Sequence, residues 1–136
     1  MTATELHLDL LSDPAAIAPA RRAVEAFATQ HGFGDRAVSE IGLCFNEAVA
    51  NIIRHAYEGR PGQPIAIDCH VDASGLTLSL RDWGNGRVPD MHRDPPDPAL
   101  LEPGGLGLPC LKQLLDKVEF VPQADGMLLK MFRRRR

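Results

Sequence analysis

At 136 residues the chain has the length of one folding domain, and its 44% hydrophobic and 24% charged content belongs to a globular rather than a disordered protein. The formal charge is −3, and four of the fifteen Lys and Arg residues are Arg133 to Arg136, so the body sets eleven cations against eighteen acids. That balance argues against direct nucleic-acid binding, which needs cations spread across a face, and no run approaches the ~18 apolar residues that span a bilayer.

Residues 5–11 alternate apolar and polar, as a half-buried strand does. Ser12-Asp13-Pro14 is a helix start signal, and Ile17, Ala20, Val24 and Phe27 then recur at helical spacing up to about Gln30. His31-Gly-Phe-Gly34 ends that helix, and Asp35 is expected to cap a longer one running to about Tyr57. Glu58 to Gly62 breaks the chain before two strand-like runs, 65–71 and 76–80, with Ala73-Ser-Gly75 as a hairpin turn between them. From Asp82 to Gly105 the chain is rich in Gly and Pro and reads as a long functional loop. A third helix is predicted from Leu106 to about Lys117, followed by closing strands at 118–121 and 127–132. Arg133 to Arg136 reads as a solvated basic tail. The sum is an α+β two-layer sandwich: a mixed, mostly antiparallel sheet with helices on one face.

Three cysteines with no C-x-x-C pair suit free thiols in a reducing compartment. The first residues lack the basic and apolar regions of a secretion signal, so a cytoplasmic protein is expected. His7, His31, His70 and His92 have no ligand spacing and read as surface or loop residues.

Three short motifs carry chemistry. On the second helix, Val38, Ile41, Phe45, Ala48, Val49, Ile52 and Ala56 form the core arc, leaving Glu47 and Asn51 together on the other side, flanked by Arg54 and His55. Such a pair is either a solvated helix face or an oxygen donor set for a hard cation beside a proton acceptor. Asp82-Trp-Gly84-Asn-Gly86 follows the second strand-like run. It is either a plain turn or a carboxylate placed to accept a hydrogen bond from an exocyclic amine such as that of adenine. Gly104-Gly105-Leu106-Gly107-Leu108 opens the third helix, either as a flexible helix start or as a backbone phosphate cradle; it matches neither the P-loop nor the dinucleotide fingerprint.

In order and spacing the three motifs resemble the Bergerat (GHKL) ATP-binding fold shared by gyrase, the ninety-kilodalton heat-shock chaperone, histidine kinases and mismatch-repair ATPases. Within it, Asn46-Glu-Ala-Val-Ala-Asn-Ile-Ile-Arg-His-Ala-Tyr57 and the run from Gly104 to Val118 are similar to the anti-sigma-factor serine/threonine kinases, over roughly residues 5–132. The resemblance implies one histidine kinase-like ATPase domain across 1–136, binding ATP and Mg²⁺. It implies Glu47 as general base, Asn51 as the Mg²⁺ ligand and Asp82 as reader of the adenine amino group, with Gly84 and Gly86 shaping the base pocket. His55 would line that pocket, Gly105, Leu106, Gly107 and Leu108 would hold phosphates, and residues 87–103 would form the ATP lid. The implied partners are a sigma factor and a STAS-type anti-sigma-factor antagonist, with a homodimer as the assembly. Arg87 departs from the pattern, standing where the fold commonly has an apolar residue, and the lid is unusually rich in proline. Trp83 is expected to pack at the pocket edge. The same motifs leave open an ATP-responsive protein-binding regulator without kinase activity. A histidine kinase catalytic domain fits less well, because no helix with a phospho-acceptor His precedes the motifs and that family often has Asn where Glu47 stands.

Overall fold

The computed structural model describes residues 3–88 and 109–135. Strand β1 (Glu5–Leu11) leads through a short 3-10 turn (Pro14–Ala16) into helix α1 (Ile17–Gln30), followed by α2 (Asp35–Asn51) and a π-helical turn (Ile52–Ala56). The hairpin of β2 (Pro64–Val71) and β3 (Gly75–Asp82) comes next; α3 (Pro109–Leu114), β4 (Lys117–Gln123) and β5 (Gly126–Arg134) complete the order. The five strands form one sheet in the order β1-β2-β3-β5-β4. Every pairing is antiparallel, so the sheet is not mixed among the described residues.

The period of two in β2 and β3 turns Ile65, Ile67, Cys69, Leu76, Leu78 and Leu80 inward, each buried. They pack with Val24 and Phe27 of α1 and Ile41, Phe45 and Val49 of α2 in one core. At Gly42 of α2 a Cβ would lie 2.6 Å from a carboxylate oxygen of Glu25 on α1, so the Glu25 side chain occupies the space left by the missing side chain. The opposite face of the sheet carries polar residues such as His7 and Asp68, joined Nδ1 to Oδ1 at 2.7 Å.

Local signals account for most boundaries. Asp13 is the first cap, accepting the Ala15 N–H at 2.9 Å, with Pro14 in the first turn. The cap of α2 is Gly34, whose carbonyl accepts the Val38 N–H at 2.9 Å; Asp35 lies inside the first turn, where its charge complements the helix dipole. The β2–β3 turn is held by Asp72, which accepts the N–H groups of Ser74 and Gly75, and these bonds hold its carboxyl below the usual aspartate range.

Three expectations are corrected. The second helix does not continue regularly to Tyr57 but widens after Asn51: the Tyr57 N–H reaches the Ile52 carbonyl, five residues back. The third helix stops at Leu114, because Lys117 already belongs to β4. Of the four terminal arginines expected to form a solvated tail, Arg134 is exposed and Arg136 lies outside the described residues, but Arg133 and Arg135 are packed against the fold. Arg133 and Arg134 continue β5, and Arg133 is 7% exposed, with Nη1 at 2.7 Å from both Glu40 Oε2 and the Leu114 carbonyl. Arg135 lies over the Phe33 ring and donates to the His31 carbonyl at 2.6 Å.

Candidate functional site

Glu47 and Asn51 are the predicted pair one helical turn apart, where side chains at i and i+4 are neighbours. Glu47 is 1% exposed and Cys44 is fully buried, so this side of α2 is not a solvated face. The core arc predicted for α2 is only part of its buried surface, which covers seven residues from Ile41 to Val49. Asn51, the last residue of α2, is half-buried. An amide oxygen and a carboxylate in this register are hard oxygen donors, the class Mg²⁺ takes, and Mg²⁺ commonly uses one or two protein groups with phosphates and water completing its shell. The described residues contain no cluster of three or more His, Cys, Asp or Glu side chains that could hold a metal ion.

His55 lies in the π turn and is exposed. Its carbonyl accepts a hydrogen bond from Asn85 Nδ2 at 2.8 Å.

Asp82 ends β3 and is 3% exposed. Burial raises its pKa above the ordinary aspartate value, against the opposing pull of the Gly84 N–H, the Arg81 charge and the Met127 N–H. The Gly84 N–H donates to Oδ1 at 2.9 Å. A carboxylate has about four acceptor positions, so the group can take a further donor, and its withdrawal from water strengthens that bond.

The loop after Asp82 is laid directly against the end of the helix that carries Asn51. The Trp83 N–H donates to the Tyr57 hydroxyl at 2.8 Å, and that hydroxyl donates to the Pro64 carbonyl. The Asn85 N–H donates to the Ala56 carbonyl at 3.0 Å. Gly84 lies flat on the same carbonyl, in a space that a Cβ would fill. On the other side Gly126, with φ at +146°, leaves room for the Asp82 carbonyl and the Trp83 Cα. Gly86 takes φ +72°, with its absent Cβ position 3.4 Å from the Gly126 carbonyl oxygen.

The Trp83 indole is 42% exposed and lies 4.6 Å beneath the Arg81 guanidinium, which also pairs with Asp125. Arg87 is exposed. The expected phosphate-holding residues Gly105, Leu106, Gly107 and Leu108, and all of the expected lid 87–103 beyond Val88, lie outside the described residues. Tyr57, Asn85 and Gly126 were not singled out by the motifs. The single Tyr at the end of the first motif and the Asp125-Gly126 pair are weak signals, and the Asn85 contacts go to main-chain carbonyls that leave no mark in a sequence.

The histidine kinase-like ATPase domain model matches residues 10–133. A serine-protein kinase RsbW from Listeria innocua is 23% identical over 122 residues, 85% of this chain and 78% of that protein. An anti-sigma F factor from Oceanobacillus iheyensis is 31% identical over 105 residues, 75% of this chain and 72% of its own length. The crystal structure of the RsbU and RsbW domains of a Mycobacterium tuberculosis protein superposes with a TM-score of 0.72 at 16% identity; it covers 97% of this chain, which spans about a third (32%) of that longer one. That likeness concerns the fold, including the single sheet and its helical layer. No helix among the described residues is long and apolar enough to cross a membrane.

Proposed function

Because the chain belongs to the histidine kinase-like ATPase domain family, and within it to the group of anti-sigma-factor serine kinases, we propose that it is an ATP-dependent serine/threonine kinase of a partner switch. In one state it holds a sigma factor; in another it phosphorylates a STAS-type antagonist of that interaction. It acts in the cytoplasm as a homodimer. The observation that carries the reading is the placement of Glu47 and Asn51 on one helix whose end is hydrogen-bonded to the loop that follows Asp82.

Phosphoryl transfer asks an enzyme chiefly to position groups and to stabilise charge. The Asp82 carboxylate accepts the adenine amino group, with Gly84 and Gly86 keeping the loop close to the base. The Glu47 carboxylate accepts the proton of the attacking serine hydroxyl as its oxygen bonds to the γ-phosphorus and the bond to ADP breaks. The Asn51 amide oxygen would hold Mg²⁺, which would neutralise phosphate charge when bound. Gly105, Leu106, Gly107 and Leu108 cradle the phosphates through main-chain N–H groups, and His55 borders the nucleotide.

The test is transfer of labelled γ-phosphate to a purified STAS-type antagonist. Glu47→Gln is expected to lower the transfer rate at least ~100-fold, the scale of a lost general base, while ATP binding by calorimetry is retained. Undiminished transfer would remove Glu47 from the mechanism. A wild-type protein that binds ATP yet phosphorylates no antagonist would identify a nucleotide-responsive binding module instead.

A further inference from the structure

We propose that Asn85 is a specificity-determining residue of the nucleotide site: it positions the Asp82 loop so that the carboxylate meets the amino group of adenine. The inference rests on Asp82 as the reader of that group and goes one step beyond it, to the residue that keeps the reader in place.

Past the end of β3, residues 83–88 have no strand or helix to hold them. Two of the loop's hydrogen bonds are internal, from Gly84 N to Asp82 Oδ1 and from Arg87 N to Asn85 Oδ1 at 3.0 Å. They shape the loop without fixing it to the rest of the molecule. Three bonds tie it to the segment after Asn51: Trp83 N to the Tyr57 hydroxyl, Asn85 N to the Ala56 carbonyl and Asn85 Nδ2 to the His55 carbonyl. Asn85 supplies two of the three.

The acceptors are available for a structural reason. The last carbonyls of a helix have no N–H ahead of them in the same helix, and the π turn ends at Ala56. Asn85 therefore caps this helix from another part of the chain. The absent Gly84 side chain lets the loop reach those carbonyls at all. The side-chain amide is used at both ends, donating to His55 and accepting from Arg87, so Asn fits where Asp has no donor and Ala has neither group. Asn85 is exposed, so its bonds add little to global stability. The main chain of Asp82 is fixed by its pairing with Ile65 and Met127, so these bonds act on its carboxylate through the Gly84 N–H that it accepts, and a hydrogen bond weakens steeply with misalignment.

The experiment compares two ligands on the full chain with Mg²⁺: ATP, and purine riboside triphosphate, which lacks only the 6-amino group. A hydrogen bond to a charged carboxylate makes the wild type prefer ATP by about tenfold or more. Asn85→Ala and Asn85→Asp are both expected to shrink that preference roughly three- to tenfold while the analogue's Kd stays within about twofold of wild type. A preference retained in both variants overturns the proposal. So does equal weakening of both ligands, which marks a general prop rather than a specificity residue. Asn85→Asp with its preference intact would assign the effect to the Arg87 bond and overturn the anchoring to His55. A wild type that binds both nucleotides equally fails at the earlier step, removing Asp82 as the amine reader and this inference with it.

Discussion

Asp82 shows how a single buried side chain can be held at the expense of folding. Its carboxyl is buried at the end of a central strand, and burial holds its pKa above the unfolded value despite three groups that pull the other way. A carboxyl raised in this way destabilises the folded protein once the pH exceeds both values, and the penalty fades as pH falls toward the ordinary value of 3.8. Asp82→Asn should therefore melt at a higher temperature than wild type at neutral pH, with the two melting curves converging on acidification, while ATP affinity drops. A variant that melts lower at neutral pH would contradict the desolvation account. Glu47 and Asp82 were legible as candidates from their place in short motifs. The burial of Glu47 was not, since helical spacing put it opposite the arc that faces the core.

Among the elements, the widened turn after α2 and the end of β5 do what sequence patterning did not announce. The π turn releases carbonyls toward the Asp82 loop, and it follows directly on the Asn51 position. At the far end of β5, Arg133 ties three elements together: it pairs with Glu40 of α2 and donates to Leu114, the last residue of α3. The hydrogen bond from Arg133 holds the Glu40 carboxyl below its usual value, with Arg36 adding to the effect against burial. That stability is present above the unfolded value of 4.5 and is lost as pH falls through the folded one. Glu40→Ala leaves a buried guanidinium without its carboxylate and is expected to cost about 3 kcal/mol in urea unfolding. Combining Glu40→Leu with Arg133→Met should recover most of the loss, because two apolar groups leave no charge stranded. Failure of the double variant to recover would mean that the bond to Leu114, rather than the charge pair, carries the stability.

At the scale of the whole molecule, the strand order puts β3 between β2 and β5, so Asp82 leaves the middle of the sheet rather than an edge. The helical layer covers the inner face, and the loop after β3 meets the end of α2 at the border of the two layers. A nucleotide held there bridges the layers and stabilises the fold by mass action. At a hundredfold excess over Kd, ATP with Mg²⁺ should add about 2.7 kcal/mol, visible as a higher melting temperature. Chelating the Mg²⁺ should remove part of the increment in wild type and change little in Asn51→Ala. An equal response to chelation in both proteins would take Asn51 out of the metal site.

The sequence by itself determined the class of fold, the order of its strands and helices, and the motifs that hold Glu47, Asn51 and Asp82, because apolar periodicity and turn residues act on neighbours along the chain. Even the ends of the elements were close, apart from the helix that widens after Asn51 and the one that stops at Leu114. Only the tertiary structure decided that Arg133 is buried, that Trp83 faces outward under Arg81, that Tyr57 and Gly126 flank the Asp82 loop, and that Asn85 ties that loop to the end of the second helix. The physical reason is the same in all but one case. Apart from Arg81 and Trp83, which are two residues apart, these contacts join residues far apart in sequence, several through main-chain carbonyls that every residue carries, so no local pattern records them until folding brings the partners together.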